Sequence, residues 1–403
     1  MSTLLWLGAV VLTAAPPAPA RFEEDLAFLR QHTPVIVLGD EPGARIAVVP
    51  AWQGRVATST IGGPAAPSYG WINRELVAAR KLQPHMNAFG GEDRIWLGPE
   101  GGQYSIFFKK GDPFDLEHWQ TPPLLDSEPW AVAEQGPRHA AFRREGRLVN
   151  YSGTTFDFRL ERTLRLLDRA AAARAFGASF PESLKLVAFE SENILVNTGK
   201  AAWTKPGGVL SIWILGMFTP TPRTTVVIPY REGPDAEHGP IVNDSYFGKV
   251  TADRLVSKDG VVFFKGDGER RSKIGLTPSR ATPVLGSWDA ARRVLTIVSY
   301  SRPAGARDYV NSMWEIQKEP YRGDVVNSYN DGPPAPGARP LGPFYELETS
   351  SPARPLALGE RLTHVHRTLH VQGDAAGLDA LARTLFGVSL EAIEAALAAR
   401  PAR

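Results

Sequence analysis

Residues 154–166 read TTFDFRLERTLRL, and their period decides the fold. Phe156, Phe158, Leu160, Leu164 and Leu166 share one face, while Asp157, Arg159, Glu161 and Arg165 take the other. Side chains of a strand alternate with period two, whereas a helix would return its apolar residues every three or four positions. The stretch therefore predicts a half-buried β-strand. On either side, strands are predicted at Leu184–Asn197, Val209–Phe218, Thr224–Pro229, Val261–Phe264, Val294–Tyr300, Phe344–Glu348 and Leu362–Val371, most of them separated by Gly, Pro, Asn or Asp clusters. Arg45–Thr60 reads as two short strands broken near Pro50 and Gly54. Helical spacing is confined to Phe22–His32, Asp168–Ala175 and a tail over 375–399, where Leu378, Leu381, Leu385, Leu390, Ile393 and Leu397 recur as in a helical pair. No β-α alternation is present, which argues against a Rossmann fold or a β/α barrel and for an all-β protein of antiparallel sheets.

The composition suits a large core: 403 residues, 43% hydrophobic and 22% charged. Lys and Arg number 45 against 43 Asp and Glu, so the net charge of +2 offers no basic field and nucleic acid is not expected as a partner. With no cysteine there is no disulfide, thiolate metal site, thiol nucleophile or lipid-bearing cysteine. Met1–Ala20 carries an apolar run from Leu4 to Leu12 and ends in small residues at Pro16–Ala20, the pattern of a cleaved export leader. A buried N-terminal strand or helix is the competing reading. The run is too short to span a bilayer. Residues 21–403 are then expected as a single periplasmic or secreted domain, with the Pro-rich stretch 333–343 as a long ordered loop.

Polar residues concentrate in a few places. Residues 85–102 read HMNAFGGEDRIWLGPEGG, with five glycines around Arg94 and Trp96. Glycine lets the backbone approach a ligand, Trp96 offers a flat face to a sugar ring, and Glu92 and Arg94 can bind hydroxyls. A tight pair of turns with a surface salt bridge is the plainer alternative. His118 lies in LEHWQTPP, and Asn243 and Asp244 open NDSYF. Lys265, Asp267, Arg270 and Lys273 read as a solvated hairpin tip. YVNSMWE at 309–315 and NSYNDG at 327–332 pair aromatics with amides. In FYELETSS, Glu346 and Glu348 lie two residues apart on one strand face, so their carboxyls are about 7 Å apart and suited to share a pocket or a solvent-facing edge. His364, His366 and His370 fall on one face of another strand. A His-x-His pair can ligate zinc or iron, but no third ligand stands at ordinary spacing, so no metal or other cofactor is expected.

GGEDRIWLGPEGG, the following His118, SENILVNTG, FYELETSSPA and LALGERLTHVHRT together resemble the galactose mutarotase-like supersandwich proteins, which include aldose 1-epimerases. The nearest resemblance is to an exported bacterial branch of that fold, and it runs over Ile46–Gly373. It implies a supersandwich of antiparallel sheets flanked by a short N-terminal helix and C-terminal helices. It also implies that Glu348, in its Leu-Glu-Thr setting, is the base on an anomeric hydroxyl, with Arg94 and His118 binding the sugar and Asn197 helping to orient it. The family's acid histidine would follow the Asn-Thr-Gly strand, yet that stretch here reads GGVLSIWILGMF. The expected function is action on a sugar or oligosaccharide as an isomerase, hydrolase or lyase. A glycan-binding protein without turnover and a structural envelope protein without a ligand are the alternatives.

Overall fold

In a computed structural model, the structure describes residues 21–63 and 67–398. The expected export leader, residues 1–20, lies outside the described residues. Ten antiparallel strands form the largest sheet, in the spatial order 255–258, 261–265, 224–229, 284–289, 294–300, 361–373, 184–197, 155–167, 139–149 and 131–135. A five-stranded sheet runs 272–276, 326–330, 345–350, 211–218 and 94–98. Three short strands at 36–38, 45–49 and 55–60 make a third. No helix among the described residues is long and apolar enough to cross a membrane.

Alternation explains how the layers stack. Along Thr224–Pro229, Val226 and Ile228 join Leu347, Tyr345 and Ile274 of the five-stranded sheet in one core. Val227, pointing the other way, packs with Leu295, Trp288 and Leu369 against Leu378, Leu381 and Phe386 of the C-terminal helix Ala375–Phe386. The ten-stranded sheet is thus sandwiched over part of its width, with the five-stranded sheet on one face and the C-terminal helices on the other. Those helices, Ala375–Phe386 and Leu390–Ala396, are capped at their N-termini by Asp374 and Ser389 and form the expected pair. The N-terminal helix Phe22–His32 has its predicted bounds.

Two expectations need correction. Residues 94–98, read as part of a glycine-rich binding loop with a pair of turns as the alternative, form an edge strand, because Arg94–Gly98 pairs along Ser211–Leu215. Lys273 is not at a solvated tip: Ser272–Leu276 pairs with Val326–Asn330, and Lys273 is only 9% exposed. The opening stretch forms Thr155–Leu167 as read, but its apolar face also carries Arg162. That guanidinium is fully buried, held by Asp93 at 2.6 Å, the Gly54 carbonyl and Asn193. A buried charge persists where paired in this way.

Candidate active site

The strand Tyr345–Ser350 lies centrally in the five-stranded sheet, between Val326–Asn330 and Ser211–Phe218. Tyr345, Leu347 and Thr349 point towards the ten-stranded sheet, so Glu346, Glu348 and Ser350 point away from it. All six residues are nevertheless buried, because loops cover the outer face of the sheet. The sequence left open whether the two glutamates edge the solvent or share a pocket. The structure places both in the interior, facing a covered cleft.

Glu348 is fully buried, and its two oxygens differ. Oε2 accepts from Trp213 Nε1 at 2.9 Å and from Lys273 Nζ at 3.0 Å, whereas Oε1 has no partner among the described residues. The ammonium also lies 4.8 Å from the centre of the Trp213 ring. Burial, which alone would lower the Lys273 pKa, is outweighed by Glu348, Glu100 and Glu346, so the lysine is held as a cation. Glu346 bonds Arg94 at 2.9 Å, and the guanidinium lies 4.3 Å above the ring of Trp96. Burial, with the charge of Glu348 adding to it, raises Glu346 to about 8 against the pull of Arg94.

Across the cleft, Tyr246 donates to Asp324 Oδ2 at 2.6 Å and accepts from Asn327 Nδ2 at 3.2 Å. Asn243 Nδ2 donates to the same Asp324 oxygen at 3.1 Å. Burial raises the Asp324 pKa, opposed by these two donors and by Lys273. Ser211, Trp213, Tyr246, Lys273, Asp324 and Asn327 enclose a cavity of about 10 Å³, the room of one water. Tyr246 from segment 241–249 and Val310, Ser312 and Asp324 from segment 309–324 line the outer side of this cavity.

The structure thus gathers Glu346, Glu348, Arg94 and, through Asp324, Asn243. Trp96 lies beneath Arg94 at 3% exposure, packed against Trp213, Phe107 and Trp119, so it is a floor and not an open platform for a ring. Four residues stand apart from Glu348. Glu92 points between the sheets to Ser59 and His370, and Asn197 ties a turn through Ala201, Leu356 and Gly199. His118 sits on an exposed turn bonded to Asp115 at 2.6 Å, and Asp244 holds Lys249 and the Val250 amide. The histidines of the strand Arg361–Gly373 are buried between the sheets. Thr349 Oγ1 lies 2.8 Å from His364 Nε2 and 2.9 Å from His366 Nδ1, and His370 bonds Thr296 and Glu92. No cluster of three potential metal ligands occurs among the described residues.

Sequence reasoning missed Lys273, Trp213, Tyr246 and Asp324 as one group. A signal existed for Lys273: it alternates with the apolar Ile274 and Leu276, the mark of a strand with one face buried. Trp213 lies in GGVLSIWILGMF, the stretch that lacks a histidine, and it is this indole that reaches Glu348.

Solved structures resemble the whole layout. A Synechocystis sp. PCC 6803 protein, Slr1438, aligns over 85% of this chain and 96% of its own, with a TM-score of 0.51 and 15% identity. An Escherichia coli K12 protein described as a candidate aldose 1-epimerase aligns over 85% of this chain and 99% of its own, with a TM-score of 0.50 and 12% identity. A galactose mutarotase-like protein from Lactobacillus casei ATCC 334 aligns over 84% and 99%, with a TM-score of 0.47 and 9% identity. The fold is therefore that of the galactose mutarotase-like proteins, as the sequence resemblance implied. No curated protein matches the chain. Residues 20–397 match the model of a family of unknown function, DUF6786, and the chain belongs to that family.

Proposed function

We propose that this chain is an exported protein acting on a sugar or oligosaccharide by general acid-base chemistry, with Glu348 as the base. The observation that carries the reading is the asymmetry of Glu348: Oε2 is fixed by Lys273 and Trp213, and Oε1 is buried with no partner among the described residues. An oxygen so held has one free direction in which to accept a proton, and a hydroxyl at about 2.6–3.2 Å would complete it. Arg94, bonded to Glu346, supplies further polar groups on the same face, and Asn243 fixes Asp324 opposite. The same groups serve anomeric exchange or glycosidic cleavage, since both need a proton taken and a proton given at one ring. Export rests on the leader-like residues 1–20.

A glycan-binding role without turnover is favoured by one observation: among the described residues Glu348 bonds Trp213 and Lys273 and no histidine. A thermal-shift screen of residues 21–403 against monosaccharides, uronic acids and oligosaccharides, followed by NMR of the stabilising sugar, separates the readings. In the catalytic reading Glu348→Gln keeps the thermal shift and loses turnover. Unchanged turnover in that variant would overturn it.

A further inference from the structure

Beside the cleft, the guanidinium of Arg271 has no carboxylate within ion-pair distance among the described residues. We propose that Arg271, stacked on Phe247, is a carboxylate-binding subsite, so that the sugar taken by this cleft is a hexuronate, free or at the end of a chain. This rests on the reading of the cleft as a sugar site and names the class of sugar.

Placement is the first argument. Arg271 immediately precedes the edge strand Ser272–Leu276. Ile274 packs between the sheets, so Lys273 points to the outer face, and Tyr329, directly opposite Lys273, shares that face. Arg271 Nε donates to the Tyr329 hydroxyl at 3.3 Å, which puts the guanidinium on the same face. Two positions on one strand face are about 7 Å apart, the scale of one sugar ring. Lys273 bonds Glu348 and lines the cavity with Tyr246, whose neighbour in the chain is Phe247. A pyranose whose anomeric hydroxyl meets Glu348 and whose C6 carboxylate meets Arg271 spans that separation.

The guanidinium is also held ready. Its carbon lies 3.9 Å from the centre of the Phe247 ring, and Phe247 meets the Tyr329 ring edge-on at 5.9 Å. The Tyr329 hydroxyl donates to Asp331 Oδ1 at 2.6 Å, and Asp331 Oδ2 accepts from the Gly342 amide at 2.9 Å, so the phenol turns its lone pairs to Arg271. Nη1 and Nη2 of Arg271 have no hydrogen-bond partner among the described residues. Two parallel N–H donors in a fixed plane match the two oxygens of a carboxylate. Phe247 is 45% exposed, and an aromatic ring open to solvent beside that fork suits the apolar face of a sugar.

Charge sets the class of anion. Lys273 is paired with Glu348, Arg94 with Glu346 and Lys249 with Asp244, and Arg270 extends to Asp253. One guanidinium therefore meets the incoming group. It suits the single charge of a carboxylate better than the nearly double charge of a phosphate monoester.

The test is isothermal titration of the protein with D-glucuronate, D-galacturonate, D-glucose, D-galactose and D-glucose 6-phosphate, in wild type, Arg271→Met, Arg271→Lys and Phe247→Leu, each shown to be folded by circular dichroism. We expect a hexuronate to bind wild type at least about tenfold more tightly than its neutral hexose, as a charge-assisted pair of hydrogen bonds provides. Arg271→Met should erase that preference and leave the affinity for neutral sugars within about twofold, while Arg271→Lys, which keeps the charge and loses the fork, should restore only part of it. Phe247→Leu should lower the preference by freeing the guanidinium. Equal affinity for hexuronates and neutral hexoses in wild type, or a preference that survives Arg271→Met, overturns the subsite and leaves the sugar reading standing. Equal weakening of both classes by Arg271→Met would make the stack a brace for segment 241–249 and overturn the subsite as well. Tighter binding of the 6-phosphate than of the hexuronates overturns the carboxylate assignment. If none of the sugars binds wild type, the sugar reading falls and the subsite with it.

Discussion

At the scale of single residues, the cleft depends on one buried ion pair. Lys273 and Glu348 are 9% and 0% exposed, and removing one partner of such a pair strands the other charge. Lys273→Met is expected to lower unfolding free energy by about 3–5 kcal/mol in urea titrations and to abolish turnover. A loss below about 1 kcal/mol would show that the pair is solvated, as in surface pairs. The sequence made Glu346 and Glu348 legible because two residues on a strand share a face. It did not reveal their partner, since Lys273 comes from a strand some 75 residues away in the chain. His118 and Asn197 illustrate the converse. Their residue types suit a sugar, yet His118 hydrogen-bonds within its own turn, and Asn197 is used up in holding its turn and the Leu356 carbonyl.

Elements carry the next set of consequences. The strand Ser272–Leu276 has glycine at 275 because Asp324 leans over it: an added Cβ would lie 2.1 Å from Asp324 Oδ2 and 2.6 Å from Asn327 Nδ2. Gly275→Ala should therefore cost about 1–3 kcal/mol and weaken sugar-induced stabilisation by displacing Asp324. Unchanged sugar affinity would separate Asp324 from the site. On the strand Arg361–Gly373, burial lowers His364 to about 3 and His366 to about 4, from an unfolded value of about 6.5. Between those values the unfolded chain binds more protons, so these residues reduce stability as pH falls from about 6.5 towards 4, by up to about 1.4 kcal/mol per pH unit for each histidine. Denaturation at pH 6.5 and 4.5 should show a shallower decline in His364→Gln/His366→Gln than in wild type. Equal slopes would contradict the burial of these rings. Strand periodicity was legible in the long strands, where five or more alternations repeat. The short strands Arg94–Gly98 and Val326–Asn330 escaped notice because glycines and amides mask the pattern, and only their pairing partners identify them.

For the whole molecule, the layers separate stability from function. The C-terminal helices pack on the ten-stranded sheet, on the side away from the five-stranded sheet that carries Glu348. Phe386 is 1% exposed there. Phe386→Ala should cost about 3–5 kcal/mol while leaving the thermal shift caused by a bound sugar unchanged. Loss of that shift in the folded variant would mean that the helices reach the site. The all-β class and the helical tail were legible from sequence because they depend on local periodicity. The cleft was not, because the five-stranded sheet assembles strands from residue 94 to residue 350 and its covering loops have no period at all. The central claim, that Glu348 Oε1 meets an anomeric hydroxyl, is tested most directly by a crystal structure of Glu348→Gln with the sugar that stabilises it most. The account predicts the anomeric oxygen within about 3.2 Å of the side-chain atom that replaces Oε1, with segments 241–249 and 309–324 moved apart. A sugar bound elsewhere on the surface, with the cleft still closed around about 10 Å³, would contradict it.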